Sequence, residues 1–564
     1  MKISPINGYI STQSIAKLNP MTSFMSAPNV QKADSVSFTS KGVKKPVNVD
    51  LKTAEDVAYS LSHSTSGHRA PYGGETFNKD IVQLITLGIA DYAKDEAAKN
   101  GKKHPTVLIG GDTRQATRES LPLINETFKN QNVDVIYIKD PVPTPLLALA
   151  AKNLDVDTAV LMTASHNPWG DGGYNMVTKA GAVAPAEVTE KVAEHMVKIA
   201  KKGTFVEYPE NSSKETDIYP IEMYKEHIDS LGLVDFDKIR NAGISLHYDG
   251  LKGTGPYVLP DLLKSEGIPC HEVISGDQEG PNPTDGNLTE LKKSLAADKS
   301  GGLKVGISND GDADRFGIVD ENGKFITAND VLLLASYHLA NNKGKEGTII
   351  RSQATTAQLD GIAENYGLDV LRTPVGFKYI AEDILDLRKQ GKDALLAGEE
   401  SGGLTVTGHL PEKDGILADL LVLDLIATEQ KPISEILSDV KASLPKNYEV
   451  DNFSQRYPSP DKQKAVMDRF IAIHDAAKKG QTQFDEGHVI DLEATKENDD
   501  TMKTYKKGGD GVKLYMTDGS TILVRKSGTE PVLRCYIEAA GENQEAAAKN
   551  KDALKETMVG IFTI

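Results

Sequence analysis

From Leu51 onward, short β-branched runs alternate with helical stretches, which predicts layered α/β structure. Thr106–Gly110 (TVLIG), Val133–Ile138 (VDVIYI) and Ala159–Thr163 (AVLMT) read as buried strands, and Pro145–Lys152 and Glu187–Lys201 as helices. A second unit opens at Ile244–Tyr248, continues through a Gly-rich turn and a helix near Tyr257–Glu266, and closes with Val305–Ser308. A third opens with the helix Val331–Ala340, followed by the strand Thr348–Arg351, the helix Gln358–Tyr366 and a strand ending at Ala394–Ala397. The three units share a strand–loop–helix plan, with no short repeat of the solenoid kind. After Pro445 the pattern changes to a charged helix (Asp461–Lys479), short strands around Val512–Met516, Ile522–Arg525 and Val532–Glu538, and a closing helix. Asp451–Pro460 and Lys496–Gly511 read as polar loops. The predicted fold class is α/β with four domains. Three related α/β domains are expected at 51–215, 216–325 and 326–443, and a smaller α+β domain at 444–564, after an N-terminal extension at 1–50.

That extension stands apart in composition. Residues 1–48 hold eight serines, six lysines, a single acid (Asp34) and no arginine, with no sustained periodicity. They read as a disordered extension. A transit peptide is the competing reading, although such peptides favour Arg. The whole chain of 564 residues suits three or four domains. Its mean hydropathy is −0.36, and no apolar run approaches the ~18 residues of a membrane span. Asp and Glu outnumber Lys and Arg by 81 to 64, a net charge of −17 that argues against sequence-independent nucleic-acid binding. Anionic small substrates stay possible, because a local cluster of Arg and Lys can outweigh the global field inside a cleft. Two distant cysteines, Cys270 and Cys535, make neither a disulfide framework nor a thiolate metal site, so a reducing, cytoplasmic setting is expected.

Four loops carry the candidate chemistry. In Ser308-Asn-Asp-Gly-Asp-Ala-Asp-Arg315, the carboxylates of Asp310, Asp312 and Asp314 alternate at a strand end and would repel one another unless a hard cation sat between them. An acidic turn is the bland alternative. An EF-hand loop would put Glu321 at its twelfth position, but it fails at the sixth, where Arg315 replaces the required Gly, and its flanks look like strands. A Mg²⁺ loop with open coordination positions fits better. Thr163-Ala-Ser-His-Asn-Pro168 follows a strand, and Pro168 holds Asn167 away from helix, leaving Ser165 and His166 on a constrained turn. A hydrolase serine would want G-x-S-x-G, which is absent. Gly398-Glu-Glu-Ser-Gly-Gly403 offers a carboxylate and a hydroxyl suited to vicinal sugar hydroxyls, or a polar turn. Arg525-Lys-Ser-Gly-Thr-Glu-Pro531 gathers a guanidinium, hydroxyls and free amides that suit a phosphate held without reaction. Neither a Walker loop nor a dinucleotide fingerprint occurs.

Taken in order, these loops resemble those of the α-D-phosphohexomutase family, and the resemblance spans roughly residues 51–564. Thr65-Ser-Gly-His-Arg69, Pro281-Asn-Pro283, Pro374-Val-Gly-Phe-Lys378 and Glu412-Lys-Asp-Gly415 support it, the first and third looking more glucose-type than mannose-type. The resemblance implies four domains around a central cleft and a phosphorylated Ser165. It implies Mg²⁺ held by Asp310, Asp312, Asp314 and the phosphoserine, with His166, Arg69 and Arg315 at the transfer site. Lys378, Glu399 and Ser401 would bind the sugar, and Arg525, Ser527, Gly528 and Thr529 would clamp the phosphate that is not being transferred. The reaction it implies interconverts hexose 1- and 6-phosphates, glucose first and mannose as runner-up, through a hexose 1,6-bisphosphate. The partner is then a small phosphosugar, with no nucleic acid or membrane, and nothing in the sequence decides between monomer and dimer. One departure matters. The family usually has a lysine ten residues beyond the nucleophile, a favoured general base, and here that position is Asn175. Lys179 and His166 are the nearby substitutes. A phosphosugar-binding protein with impaired turnover is the reading from another class, which the retained Ser165 and three aspartates oppose.

Overall fold

The computed structural model describes residues 42–64, 67–209, 213–276, 278–473, 511–516, 518–526 and 531–563, with the backbone of one helix continuing through 477. Each of the three α/β units has its own sheet. The first has six strands in the order His68–Pro71, Asp171–Val177, Thr158–Met162, Thr106–Gly111, Asp134–Tyr137 and Glu215–Asp217. The second has five, in the order His271–Glu272, Ser245–Asp249, Lys304–Asn309, Phe316–Val319 and Phe325–Ile326. The third has four, in the order Asp369–Thr373, Thr348–Ser352, Ala394–Glu399 and Gly403–Val406.

A single topological event recurs in all three. A central parallel strand (Thr158–Met162, Lys304–Asn309, Ala394–Glu399) runs into a short loop and returns antiparallel as the next strand. The serine, metal and sugar loops are these three returns. Each therefore sits at the carboxyl end of a buried parallel strand, where open α/β sheets place their ligands. Burial on both faces explains why those strands read as unbroken apolar runs: every residue of Thr158–Met162 is buried.

One apolar core joins the units. It runs from the helix Thr144–Asn153 through Leu246 and Ile307 to the helix Gly415–Glu429, which is buried on every side along most of its length. Asp414 caps that helix by accepting from the Leu417 amide at 2.9 Å.

The C-terminal unit is built differently. Its four strands, Asn447–Arg456, Val532–Gly541, Thr521–Lys526 and Gly511–Tyr515 in spatial order, are all antiparallel and pack against the helix Gln544–Phe562.

The structure corrects several sequence expectations. Residues 42–50 are not part of a disordered extension, since Val43–Pro46 pairs antiparallel with Thr204–Glu207 and Asp50 caps the helix Leu51–His63. Residues 1–41 lie outside the described residues. Asp451–Pro460 is not a loop, because residues 451–456 complete a ten-residue edge strand. Its polar side chains misled because an edge strand keeps a wet face and no continuous apolar pattern. The helix expected near Tyr257–Glu266 splits into a single turn, Gly255–Tyr257, and the helix Leu259–Ser265, with Pro256 and Pro260 each setting a new start. Residues 478–510, including the end of the predicted charged helix and most of the predicted loop at 496–511, lie outside the described residues. Within that predicted loop Gly511 opens a strand.

Candidate active site

The serine loop and the metal loop meet face to face. Ser165 Oγ donates to Asp310 Oδ2 at 2.7 Å, and His166 Nδ1 stands 3.3 Å from the same Oγ. Ser165 and Ala313 both adopt left-handed backbone, with φ of 51° and 54°. Such angles are unusual away from glycine and mark loops held by their surroundings. Two glycines permit the approach: a Cβ on Gly311 would lie 2.6 Å from the Ser165 carbonyl oxygen, and one on Gly173 would lie 1.9 Å from that of Thr163. Thr144, at the start of its helix, ties the metal loop to the first unit: its amide donates to the Asp312 carbonyl at 2.9 Å and its Oγ1 to Asp312 Oδ2 at 2.6 Å.

One ligand oxygen from each of Asp310, Asp312 and Asp314 can be chosen so that all three lie within 4.8 Å of one another. Burial, with the neighbouring carboxylates, pushes Asp310 well above the usual carboxylate range and raises Asp312. Burial also works to raise Asp314, but Lys413 and Arg315 hold it below its ordinary value. The Lys413 ammonium pairs directly with Asp314 Oδ2. Asp312 Oδ1 and Asp314 Oδ1 are buried without a hydrogen-bond donor. Three converging carboxylates with orphaned oxygens form a hard-oxygen site of the kind Mg²⁺ takes, so the residues fit the cation.

Beside this site opens a cleft of about 230 Å³, lined by residues of all four units. Arg69, Asn175, Asp312, Asp314 and Arg315 line one part, Gly376, Glu399, Ser401 and Lys413 another, and Arg525, Arg534 and Tyr536 a third. The five cations form the local cluster that the net charge of −17 conceals. Arg69 Nε and Arg315 Nε are buried without an acceptor. Arg315, burial and Arg69 together hold His166 far below the ordinary histidine range, which keeps its ring neutral. Burial and Glu400 raise Glu399 to about 7, although it accepts from the Gly376 amide at 2.7 Å.

The predicted site residues therefore converge, with exceptions. Arg69, Asp312, Asp314, Arg315, Glu399, Ser401 and Arg525 line one cleft, while Ser165 and Asp310 are fully buried and outside that lining. Lys378 does not line it: its ammonium lies 5.2 Å from the Tyr379 ring centroid, and the neighbouring Gly376 and Phe377 face the cleft instead. Ser527, Gly528 and Thr529 lie outside the described residues. Lys179 occupies an exposed turn away from the lining. Asn175 lines the cleft, yet its Nδ2 is spent on the Thr163 carbonyl at 2.8 Å and that of Leu161 at 3.4 Å.

Sequence reasoning missed Arg114, Thr144 and Arg534, and quoted Lys413 within Glu412–Gly415 without giving it a role. Arg534 had a readable signal, because in the antiparallel register it stands opposite Arg525. Like charges paired across strands are unfavourable unless an anion bridges them.

Models of one family match the chain in four successive stretches. Residues 60–203, 222–323 and 327–443 match phosphoglucomutase/phosphomannomutase alpha/beta/alpha domains I, II and III, and residues 486–556 match its C-terminal domain. A phosphoglucomutase/phosphomannomutase of Thermococcus kodakarensis is 27% identical over 480 residues, covering 83% of this chain and 93% of the relative. A phosphoglucomutase of Staphylococcus epidermidis is 25% identical over 546 residues, covering 89% and 94%. A phosphoglucosamine mutase of Alkaliphilus oremlandii is 26% identical over 470, covering 83% and 93%. Among solved structures, the open form of the Paramecium phosphoglucomutase parafusin shares the fold at a TM-score of 0.70 and 21% identity, over 89% of this chain and 94% of that one. A Burkholderia thailandensis protein of the phosphoglucomutase/phosphomannomutase family does so at 0.66 and 21%, over 89% and 97%. With four domain models matched in order and one cleft lined by residues of all four units, the chain belongs to the phosphoglucomutase/phosphomannomutase family, whose members are phosphohexomutases.

Proposed function

We propose that this mutase interconverts glucose 1-phosphate and glucose 6-phosphate by way of a phosphorylated Ser165. One observation carries the reading: Ser165 Oγ donates to Asp310 in a buried carboxylate triad beside a cleft that Arg525 and Arg534 also line. The free hydroxyl of the hexose monophosphate attacks the phosphorus, the bond from phosphorus to Ser165 Oγ breaks, and hexose 1,6-bisphosphate forms. The sugar's proton ends on Ser165 Oγ. His166, 3.3 Å from that oxygen, is assigned the relay by proximity, in place of the lysine that Asn175 replaces. The bisphosphate then turns over, and its other phosphate returns to Ser165 as the isomeric monophosphate leaves.

Asp310, Asp312, Asp314 and a phosphoserine oxygen would hold Mg²⁺, which when bound offsets charge on the transferring oxygens. Arg69 and Arg315 orient the transferring phosphoryl group. Glu399 and Ser401 grip the sugar hydroxyls in both orientations. Arg525, with Ser527, Gly528 and Thr529, holds the phosphate that is not reacting. Lys378 is assigned to sugar recognition by resemblance alone, and the cleft geometry favours Gly376 and Phe377 over it. The domain assignments follow the same logic: the serine loop in 51–215, the metal loop in 216–325, the sugar loop in 326–443 and the clamp in 444–564.

Glucose is favoured over mannose by the glucose-type character of Thr65–Arg69 and Gly376–Lys378. A panel of glucose, mannose and glucosamine 1-phosphates tests this. We expect the highest kcat/KM with glucose 1-phosphate. A preference for either other sugar overturns the substrate, and no turnover with any of the three overturns the reading and favours an impaired phosphosugar-binding protein.

A further inference from the structure

We infer that Arg114 is the positioning residue that aims Ser165, and that Trp169 reports its state. Arg114 follows the strand Thr106–Gly111 and leads into the helix Gln115–Asn130, and it is 1% exposed. Its Nη2 donates to the carbonyl oxygens of Ser165 at 2.5 Å and Asn167 at 2.7 Å. Its Nη1 donates to that of Pro168 at 2.5 Å and, more weakly, to that of Asp171 at 3.5 Å. Its Nε donates to Asp112 Oδ2 at 3.0 Å, while Thr117 Oγ1 and the Arg114 amide occupy Asp112 Oδ1 at 2.6 and 3.0 Å. A single guanidinium thus gathers four carbonyls of the serine turn, and its carboxylate partner is itself pinned.

The chemistry singles out arginine. Carbonyl dipoles turned toward one point repel unless a cation lies between them, and only a planar fork of five N–H donors reaches this many acceptors at once. A lysine would keep the charge but not the span. The turn it grips is the one that holds Ser165 at φ 51°, a backbone state that persists only where its surroundings over-determine it. Arg114 does not line the cleft, so it acts through Ser165 and not on the substrate.

Trp169 makes this testable. It is the only tryptophan in the chain, and the Arg114 guanidinium carbon lies 5.2 Å from its ring centroid. Its amide donates to the Glu279 carbonyl at 2.9 Å, which docks the indole's backbone on the second unit. Tryptophan emission therefore reads the environment of this one arginine.

The inference rests on Ser165 being the phosphoryl carrier. The test is Arg114→Lys in the full chain with Mg²⁺, scored by kcat, KM, the rate of Ser165 phosphorylation by glucose 1,6-bisphosphate, thermal melting and tryptophan emission. A misplaced nucleophile lowers the chemical step by about a hundredfold. We expect that loss in kcat and in the phosphorylation rate, a KM for glucose 1-phosphate within about threefold of wild type, and altered emission. A folded variant with wild-type kcat overturns the inference, as does a loss of kcat with unchanged emission. Should Arg114→Lys fail to fold, Asp112→Asn loosens the anchor while leaving the fork, and an unchanged kcat there overturns the inference as well. Wild-type protein that never acquires phosphate on Ser165 instead overturns the carrier on which the inference stands.

Discussion

At the proposed transfer end, Ser165, Asp310, Asp312 and Asp314 are at most 4% exposed and are cross-bonded among three units, whereas at the proposed clamp end Arg525 is half-buried and Arg534 exposed. The physical consequences differ. Buried charges act through a low local dielectric and lose little to salt, while exposed cations are screened within about 8–10 Å at ordinary ionic strength. In the proposed reading the chemistry end is thus pre-set for one geometry, and the clamp end would hold phosphate loosely enough to accept a sugar in either orientation and let it go. On that reading the contrast would separate what each end controls: rate at one, retention at the other.

The largest predicted effect falls at the transfer end. Ser165→Ala removes the atom that carries the phosphoryl group, so mutase turnover should vanish while the melting temperature stays near wild type. Measurable turnover in that variant would place the carrier elsewhere. Next, Asp312→Asn keeps shape but removes the charge of a proposed ligand, and Mg²⁺ affinity should fall by at least about a hundredfold, the upper end of what outer-shell changes alone produce. Metal titration of the activity checks it, and chelation of the wild type should abolish turnover reversibly.

At the clamp end, a bond to a charged group is worth about 1.5–3 kcal/mol, so Arg525→Ala should raise KM by roughly 10- to 100-fold. It should also release bisphosphate into solution before the second transfer, an effect seen by trapping the free intermediate and absent from any transfer-end variant. Escape of bisphosphate from Asp312→Asn but not from Arg525→Ala would reverse the assignment of the two ends.

The smallest effect concerns Glu399. Burial raises it from 4.5 to about 7, so the folded protein keeps a proton that the unfolded chain releases across that window. The folded state then binds more protons than the unfolded one, and stability falls as pH rises from about 4.5 to about 7 and levels off above. Glu399→Gln removes that slope. Thermal melts between pH 5 and 8 should be flatter for the variant, and an unchanged slope would assign the pH dependence to another group.

The recurring return of a central parallel strand explains how much was legible. AVLMT, VGIS and ALLA are short apolar runs followed at once by polar, Gly-bearing loops, and that local contrast is enough to locate three site loops. Arg525 was legible from its motif as well, although it lies on the strand Thr521–Lys526. What could not be read is what arises only from packing. Arg114 and Thr144 lie far from their partners in sequence and touch backbone carbonyls and a buried carboxylate, so no spacing marks them. Lys378 failed for the opposite reason: its motif is sound, but the first turn of its helix directs Phe377 to the cleft and the lysine over Tyr379. The strand Asn447–Arg456 escaped because half its pattern is written by solvent.

The central claim is that Ser165 carries the phosphoryl group between the two half-reactions. It is tested most directly by a single-turnover experiment in which phosphorylated wild-type protein is mixed with equimolar glucose 1-phosphate in Mg²⁺. Intact mass and peptide mapping then follow the protein while the sugar phosphates are resolved. The account predicts loss of phosphate from Ser165 in step with appearance of glucose 1,6-bisphosphate, followed by its return to Ser165 as glucose 6-phosphate forms. Glucose 6-phosphate appearing while the phosphate on Ser165 stays unexchanged would contradict it.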